Sequence, residues 1–266
     1  MLHLLDPLLL EDIQNPEHPS DFIARDSFVI LVLRLPELKD NIVYVVSYAF
    51  VIQEDRAYIY ERQENRLKEL GSLVEMNEFL DSKTDDLIKE IKQYHYEIDE
   101  LEESLYEAKL DTHFMEKWLV YKKDISLIYR LLFQAELSFE LFISHHKRKK
   151  SSSFEELAYA DIYEHFKRIQ DLAQVAIDKL NSFYDFYRAK VDEKMNKNVY
   201  YLTLLSGIFL PLTLITGFFG MNTGGLLWLN DPYGTWKAVG VAFVLEVIFF
   251  LPFLFQNRKK IKRHER

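Results

Sequence analysis

Nine residues between Asp185 and Gly217 recur at helical steps and share a chemistry. Asp185, Asp192, Asn196, Thr203, Ser206 and Thr213 offer carboxylate, amide and hydroxyl oxygens, Val199 and Leu210 interrupt them, and Gly217 bares backbone. On an α-helix this spacing places them on one face. Rings of oxygen ligands suit a cation, and narrow apolar rings between them gate by dewetting. Arg188 lies on the same face, four residues before Asp192. Either the face is rotated or the two charges cancel. Serine and threonine in an apolar helix also bond their own backbone or tighten helix packing, so the stripe has a structural reading beside the ligand one. Glu246 stands alone in an apolar run, where a charge costs roughly 2.5–3.5 kcal/mol on insertion scales. It either stays protonated against a neighbouring helix or relays protons.

Other chemistries are excluded by composition. The chain has no cysteine, which removes disulfide scaffolds, thiolate zinc sites and cysteine nucleophiles. Its eight histidines give no ligand pair on a helix, and His145-His146 reads as part of a solvated polar break over 145–153. Residues 1–197 carry 26 basic and 39 acidic side chains, a net charge of −13, whereas the residues beyond Asn230 carry seven and three. A body this acidic excludes nucleic acid as a partner. Asp99, Glu100, Glu102, Glu103 and Glu107 read as a solvated face or as a surface that concentrates cations. The sequence has no GxxxxGK[ST] for nucleotide hydrolysis and no catalytic constellation, so no enzyme is expected.

The elements that must hold the stripe follow from hydropathy. Residues 200–220 and 238–255 are long and apolar enough to span a bilayer, the second interrupted by Glu246. Two spans make a hairpin with both termini on one side. Six basic residues lie beyond Asn257, so the positive-inside bias puts both termini in the cytoplasm, with Trp228, Tyr233 and Trp236 at the far interface. The start, MLHLLDPLLLED, has no basic region and is not expected to be a signal peptide. Runs from Phe28, Ile42 and Ala57 predict strands of a small mixed sheet. Apolar residues at Leu87, Ile91, Tyr94, Ile98, Leu101 and Leu105 predict an amphipathic helix over Thr84–Leu110, with a second over Phe114–Ser144. A third starts near Phe154, with Ser153 and Glu156 at capping-box spacing. No glycine or proline interrupts it before Gly207, so stalk and first span form one rod of about 100 Å. A rod that long cannot bury all its faces in so small a body and is expected to pack against copies of itself.

The stretch MNKNVYYLTLLSGIFLPLTLITGFFGMN, Met195 to Asn222, resembles the pore helix of the CorA/ZntB family of divalent-cation transporters. Gly220-Met221-Asn222 is that family's signature triplet. Leu5–Asn15 and Val32–Glu37 also resemble its cytoplasmic domain, so the resemblance covers nearly the whole chain. It implies an α+β cytoplasmic domain with a long stalk helix and two transmembrane helices in a funnel-shaped homopentamer, embedded in the lipid bilayer of the cytoplasmic membrane. First spans would line the pore. The expected division is an abbreviated α/β domain over 1–75, a helical hairpin over 76–153, stalk and first span over 154–220, an extracytoplasmic loop over 221–236, the second span over 237–256 and a basic tail over 257–266.

Within that frame Gly220, Met221 and Asn222 form the selectivity filter, and Asp185, Asn196, Val199, Thr203, Ser206, Leu210, Thr213 and Gly217 line the path. Asn222 and Asp185 meet the metal through its water shell, because an amide carbonyl accepts hydrogen bonds from hydration water without stripping it. Glu246 is the candidate proton relay. No cofactor is expected; the divalent cation is cargo. Phe219 stands where the family commonly has tyrosine, and Asp231 is the only acid before the second span. Thr223-Gly224-Gly225 resembles the zinc-type branch, which leaves Mg²⁺ and Zn²⁺ both open, with Co²⁺ or Ni²⁺ as passengers. The competing reading is a non-conducting or regulatory membrane-anchored homologue that acts as an interaction scaffold.

Overall fold

The computed structural model describes residues 6–39, 42–106, 112–149, 154–221, 227–228 and 230–248. Asn222, Ser153, the second span past residue 248 and the tail over 257–266 lie outside the described residues. Two compact units divide the chain, Met1–Tyr187 and Arg188–Arg266.

The first unit opens with helix α1 (Pro7–Gln14), capped by Asp6, whose side chain accepts from the Leu8 amide, with Pro7 in the first turn where its missing N–H costs nothing. Five strands follow: β1 (Asp21–Ala24), β2 (Val29–Lys39), β3 (Ile42–Gln53), β4 (Arg56–Glu61) and β5 (Arg66–Ser72). They pair in chain order, each antiparallel to the next. The expected mixed sheet is thus corrected to an antiparallel meander. Short connections force this outcome, because a parallel neighbour needs a crossover of a dozen or more residues. The β3–β4 turn has two residues, Glu54 and Asp55, both at positive φ. That matches the twist a tight hairpin requires, without the glycine that would have advertised it.

Side chains alternate across β2 and β3. Leu31, Leu33, Leu35, Phe50 and Ile52 pack on the side of the long helices, whereas Ile30, Val32, Ala49 and Val51 pack with Leu9 and Ile13 of α1. Covered on both faces, β2 reads as an unbroken apolar run over residues 29–33. Pro36 sits beyond the four β2 residues that β1 pairs, where that edge of the strand is open and a lost donor is tolerated.

Three helices complete the architecture: α2 (Leu73–Tyr106), α3 (Thr112–Lys149) and α4 (Glu156–Phe219). All six residues predicted for the inner face of α2 are buried. Helix α2 starts earlier than its periodicity suggests because Ser72 and Glu75 form a capping box: the Ser72 amide donates to Glu75 Oε2 at 2.7 Å and the Val74 amide to Ser72 Oγ at 3.1 Å. Helix α3 runs through His145 and His146 to Lys149, which corrects the expected solvated break over 145–149, while 150–153 lie outside the described residues. His146 is only 3% exposed.

Helix α4 is 64 residues long and passes through Pro211. Its buried stripe, from Tyr159 through Ile162, Phe166, Ile169, Ala173, Ala176 and Leu180, stops at Phe183. Among the described residues it is the one helix long and apolar enough to cross a membrane. A further helical stretch covers residues 234–248.

Candidate functional site

The oxygen-bearing stripe sits on the part of α4 beyond its buried seam. Asp185, Asp192, Asn196, Val199, Thr203, Ser206, Leu210, Thr213 and Gly217 are all exposed. Arg188 and Asp192 are exposed too, and among the described residues they form no ion pair with each other; the pairs on this stretch join Glu193 to Lys190 and Lys197.

The hydroxyls are already engaged in one direction. Thr203 donates to the Val199 carbonyl at 2.8 Å, Ser206 to Leu202 at 2.9 Å and Thr213 to Phe209 at 2.7 Å. This is the structural reading of those residues, and it leaves the ligand reading intact. A hydroxyl has one proton and two lone pairs, so spending the proton on the helix leaves an acceptor-only oxygen facing outward. A hydrated cation presents its water hydrogens outward and needs acceptors.

The two glycines differ. A Cβ on Gly220 would lie 2.9 Å from the Thr216 carbonyl, so the chain's own backbone demands glycine there. A Cβ on Gly217 would meet nothing within 4 Å. Nothing among the described residues requires Gly217 to be glycine.

The helix over residues 234–248 lies along another side of α4. Leu212, Ile215, Thr216, Phe219 and Gly220 face Ala238, Val239, Ala242, Phe243 and Glu246 across a mostly apolar groove of about 490 Å³. At 100° per residue, the half-buried α4 residues Leu204, Ile208, Leu212, Ile215 and Phe219 centre roughly 180° from Val199, Thr203, Ser206, Leu210, Thr213 and Gly217. Glu246 therefore lies on the groove side, away from the stripe. Thr216 lines the same groove, and its hydroxyl proton is spent on the Leu212 and Thr213 carbonyls. Asp231, the loop acid, is held by Lys237, which donates to it and keeps its carboxyl below the usual range.

One cluster escaped the sequence reading. Asp81 of α2 and Asp161 and His165 of α4 bring three ligand atoms within 4.8 Å of one another. His165 Nδ1 lies 3.7 Å from Asp81 and 3.3 Å from the buried Thr84 hydroxyl, and Nε2 lies 3.8 Å from Asp161. The signal was present: Asp161 and His165 stand four apart on one helix face, which corrects the expectation that no histidine has such a partner. The third ligand comes from 80 residues away and could not be seen.

The family described as CorA-like Mg2+ transporter protein matches residues 3–260. The cobalt/magnesium transport protein CorA of Thermotoga maritima is 24% identical over 272 residues, covering 92% of this chain and 75% of that protein. The zinc transport protein ZntB of Vibrio parahaemolyticus is 32% identical over 103 residues, covering 38% of this chain and 33% of that protein. Among solved structures, the CorA magnesium transporter from Methanocaldococcus jannaschii shares the fold with a TM-score of 0.74 at 20% identity, over 94% of this chain and 83% of that one. The chain thus belongs to the CorA-like Mg²⁺ transporter family, a family of transporters and not of enzymes.

Proposed function

We propose that the protein moves divalent cations, Mg²⁺ or Zn²⁺ with Co²⁺ or Ni²⁺ as passengers, across the cytoplasmic membrane through a homopentameric pore. The observation that carries this reading is the division of α4 into two opposite faces. One packs beside the helix over residues 234–248; the other bears the oxygen stripe and is exposed, with no partner among the described residues. Five copies turned stripe-inward would enclose carboxylate, amide and acceptor-only hydroxyl rings, with constrictions at Val199 and Leu210. Gly217, unconstrained by the described residues of its own chain, would let neighbouring backbones approach or offer carbonyls to the path. Two spans per chain, both termini in the cytoplasm and a filter at Gly220, Met221 and Asn222 complete the arrangement.

The test is flux into proteoliposomes loaded with a metal-sensitive dye, comparing Mg²⁺ with Zn²⁺ with and without a proton gradient. Asn222→Ala should abolish or derange divalent entry; wild-type flux with unchanged ion preference removes the filter assignment. If Glu246 relays protons, Glu246→Gln removes the pH-gradient dependence of uptake, and unaltered dependence returns Glu246 to packing.

Arg188 favours a second reading. An unpaired cationic ring between the Asp185 and Asp192 rings would oppose cation flow, as in a regulatory or scaffold homologue that keeps the fold and does not conduct. Under that reading Arg188→Gln conducts where the native chain is silent.

A further inference from the structure

The buried seam of α4 ends at Phe183, and Asp185, the first oxygen of the stripe, follows two residues later. Around this point the helix is gripped from two sides. From α2, Asp99 and Glu102 accept from Lys179 at 2.6 and 2.5 Å. From α3, Lys122 donates to Asn181 Oδ1 at 2.7 Å, and Phe114 stacks on Tyr187 with ring centroids 5.4 Å apart. The central contact is Trp118. Its Nε1–H donates to the Leu180 carbonyl at 2.7 Å while its indole stacks on Tyr184 at 5.0 Å.

These contacts act on rotation more than on distance. At 100° per residue, Leu180, Tyr184 and Tyr187 occupy a sector of about 60°, and Asp185 lies about 140° round from Leu180. A stack alone tolerates sliding, because either ring can shift across the other. The indole N–H is different: it is donor only, and the acceptor it has found is a single backbone carbonyl with a spare lone pair. Turning α4 by one residue would orphan that donor, break both aromatic stacks and draw Lys179 from its carboxylates.

We propose that Trp118 is the positioning residue for Asp185. Its bond to the Leu180 carbonyl fixes the azimuth of α4 at the turn where the helix leaves the body, and so sets the direction in which the carboxylate faces. This rests on the reading above that Asp185 faces an axis shared by several copies.

The chain has no cysteine, so the test needs only two single-cysteine versions of the full protein in proteoliposomes, Asp185→Cys and Gly217→Cys. Under mild oxidation both cross-link between copies. Adding Trp118→Phe keeps a ring on Tyr184 and removes the N–H. Cross-linking at 185 then falls about fivefold, the shift expected for one lost hydrogen bond, while cross-linking at 217 holds. Unchanged cross-linking at 185, or an equal fall at both positions, overturns the proposal. A nitroxide attached to the introduced thiol at position 185 separates the two readings. If the Gly217→Cys version fails to cross-link even with Trp118 present, the shared axis is lost. The clamp itself then stands only if Trp118→Phe raises the nitroxide's mobility, and unchanged mobility removes it as well.

Discussion

At the scale of single residues, the hydroxyls of α4 are bonded to their own helix and, under the proposed pore, serve a second purpose as well. Thr213 gives its proton to Phe209 and keeps its lone pairs outward. Thr213→Val keeps the shape and removes the oxygen from every copy, so the helix should be unaffected while divalent flux drops by at least about tenfold, the worth of a single lost acceptor. Unchanged flux would leave Thr213 a packing residue. His146 makes a different argument. Its ring lies between Phe142 at 4.3 Å and Phe154 at 5.3 Å, and Nδ1 donates to the Phe142 carbonyl at 3.0 Å. Burial holds its pKa below the ordinary 6.5, against the smaller opposing effects of the Phe142 bond and Asp55. His145 beside it is lowered by burial and then by Lys149 and Arg148. With a depressed pKa, the unfolded chain takes up the proton first as pH falls. Stability is therefore complete above pH 6.5 and declines below it. Thermal melts from about pH 7.5 to about 5.5, spanning the ordinary histidine range, should show a shallower decline for His146→Phe than for the native chain; parallel declines would clear His146 of the effect.

At the scale of elements, what could be read from the sequence was whatever repeats with a period. The inner face of α2 repeats every three or four residues, and the strands are dense in β-branched side chains. What escaped was decided by single residues at element ends. The meander is set by a turn of Glu54 and Asp55, which lacks the usual Asn-Gly signature, and the start of α2 by a Ser72–Glu75 box whose spacing is only three. His145 and His146 read as a polar break because the aromatic rings that bury His146, Phe142 and Phe154, flank it too loosely in sequence to form a pattern. The stripe on α4 was legible for the opposite reason: it holds one period over about nine turns. The Asp81–Asp161–His165 cluster was not, because proximity across helices leaves no periodic trace. The capping box yields a direct test at this scale. Ser72→Ala should cost about 1 kcal/mol of unfolding free energy in urea titrations. A loss near zero would assign the start of α2 to tertiary packing alone.

At the scale of the whole molecule, the two units contrast in where their apolar side chains go. In Met1–Tyr187 the large apolar residues form cores on both faces of the sheet. Among the described residues of Arg188–Arg266 they mostly point out: Leu202 is 66% exposed, Leu210 69% and Leu214 73%. Contiguous apolar exposure of this extent has no stable form in water and calls for lipid or other protein. An unbroken apolar helix surface would need lipid alone. Here one face also carries oxygens, which lipid cannot satisfy and further copies can. Under the proposed pore, the two faces of the helix meet different surroundings: lipid outside, copies and water inside. The expected outcome is that the full chain, extracted in a mild detergent and weighed by native mass spectrometry, carries five subunits, whereas the fragment over 1–187 stays soluble without detergent. A dimeric full chain would leave the oxygen face in contact with lipid and remove the physical basis of the pore. Aggregation of the fragment would show that its surface, too, needs the assembly.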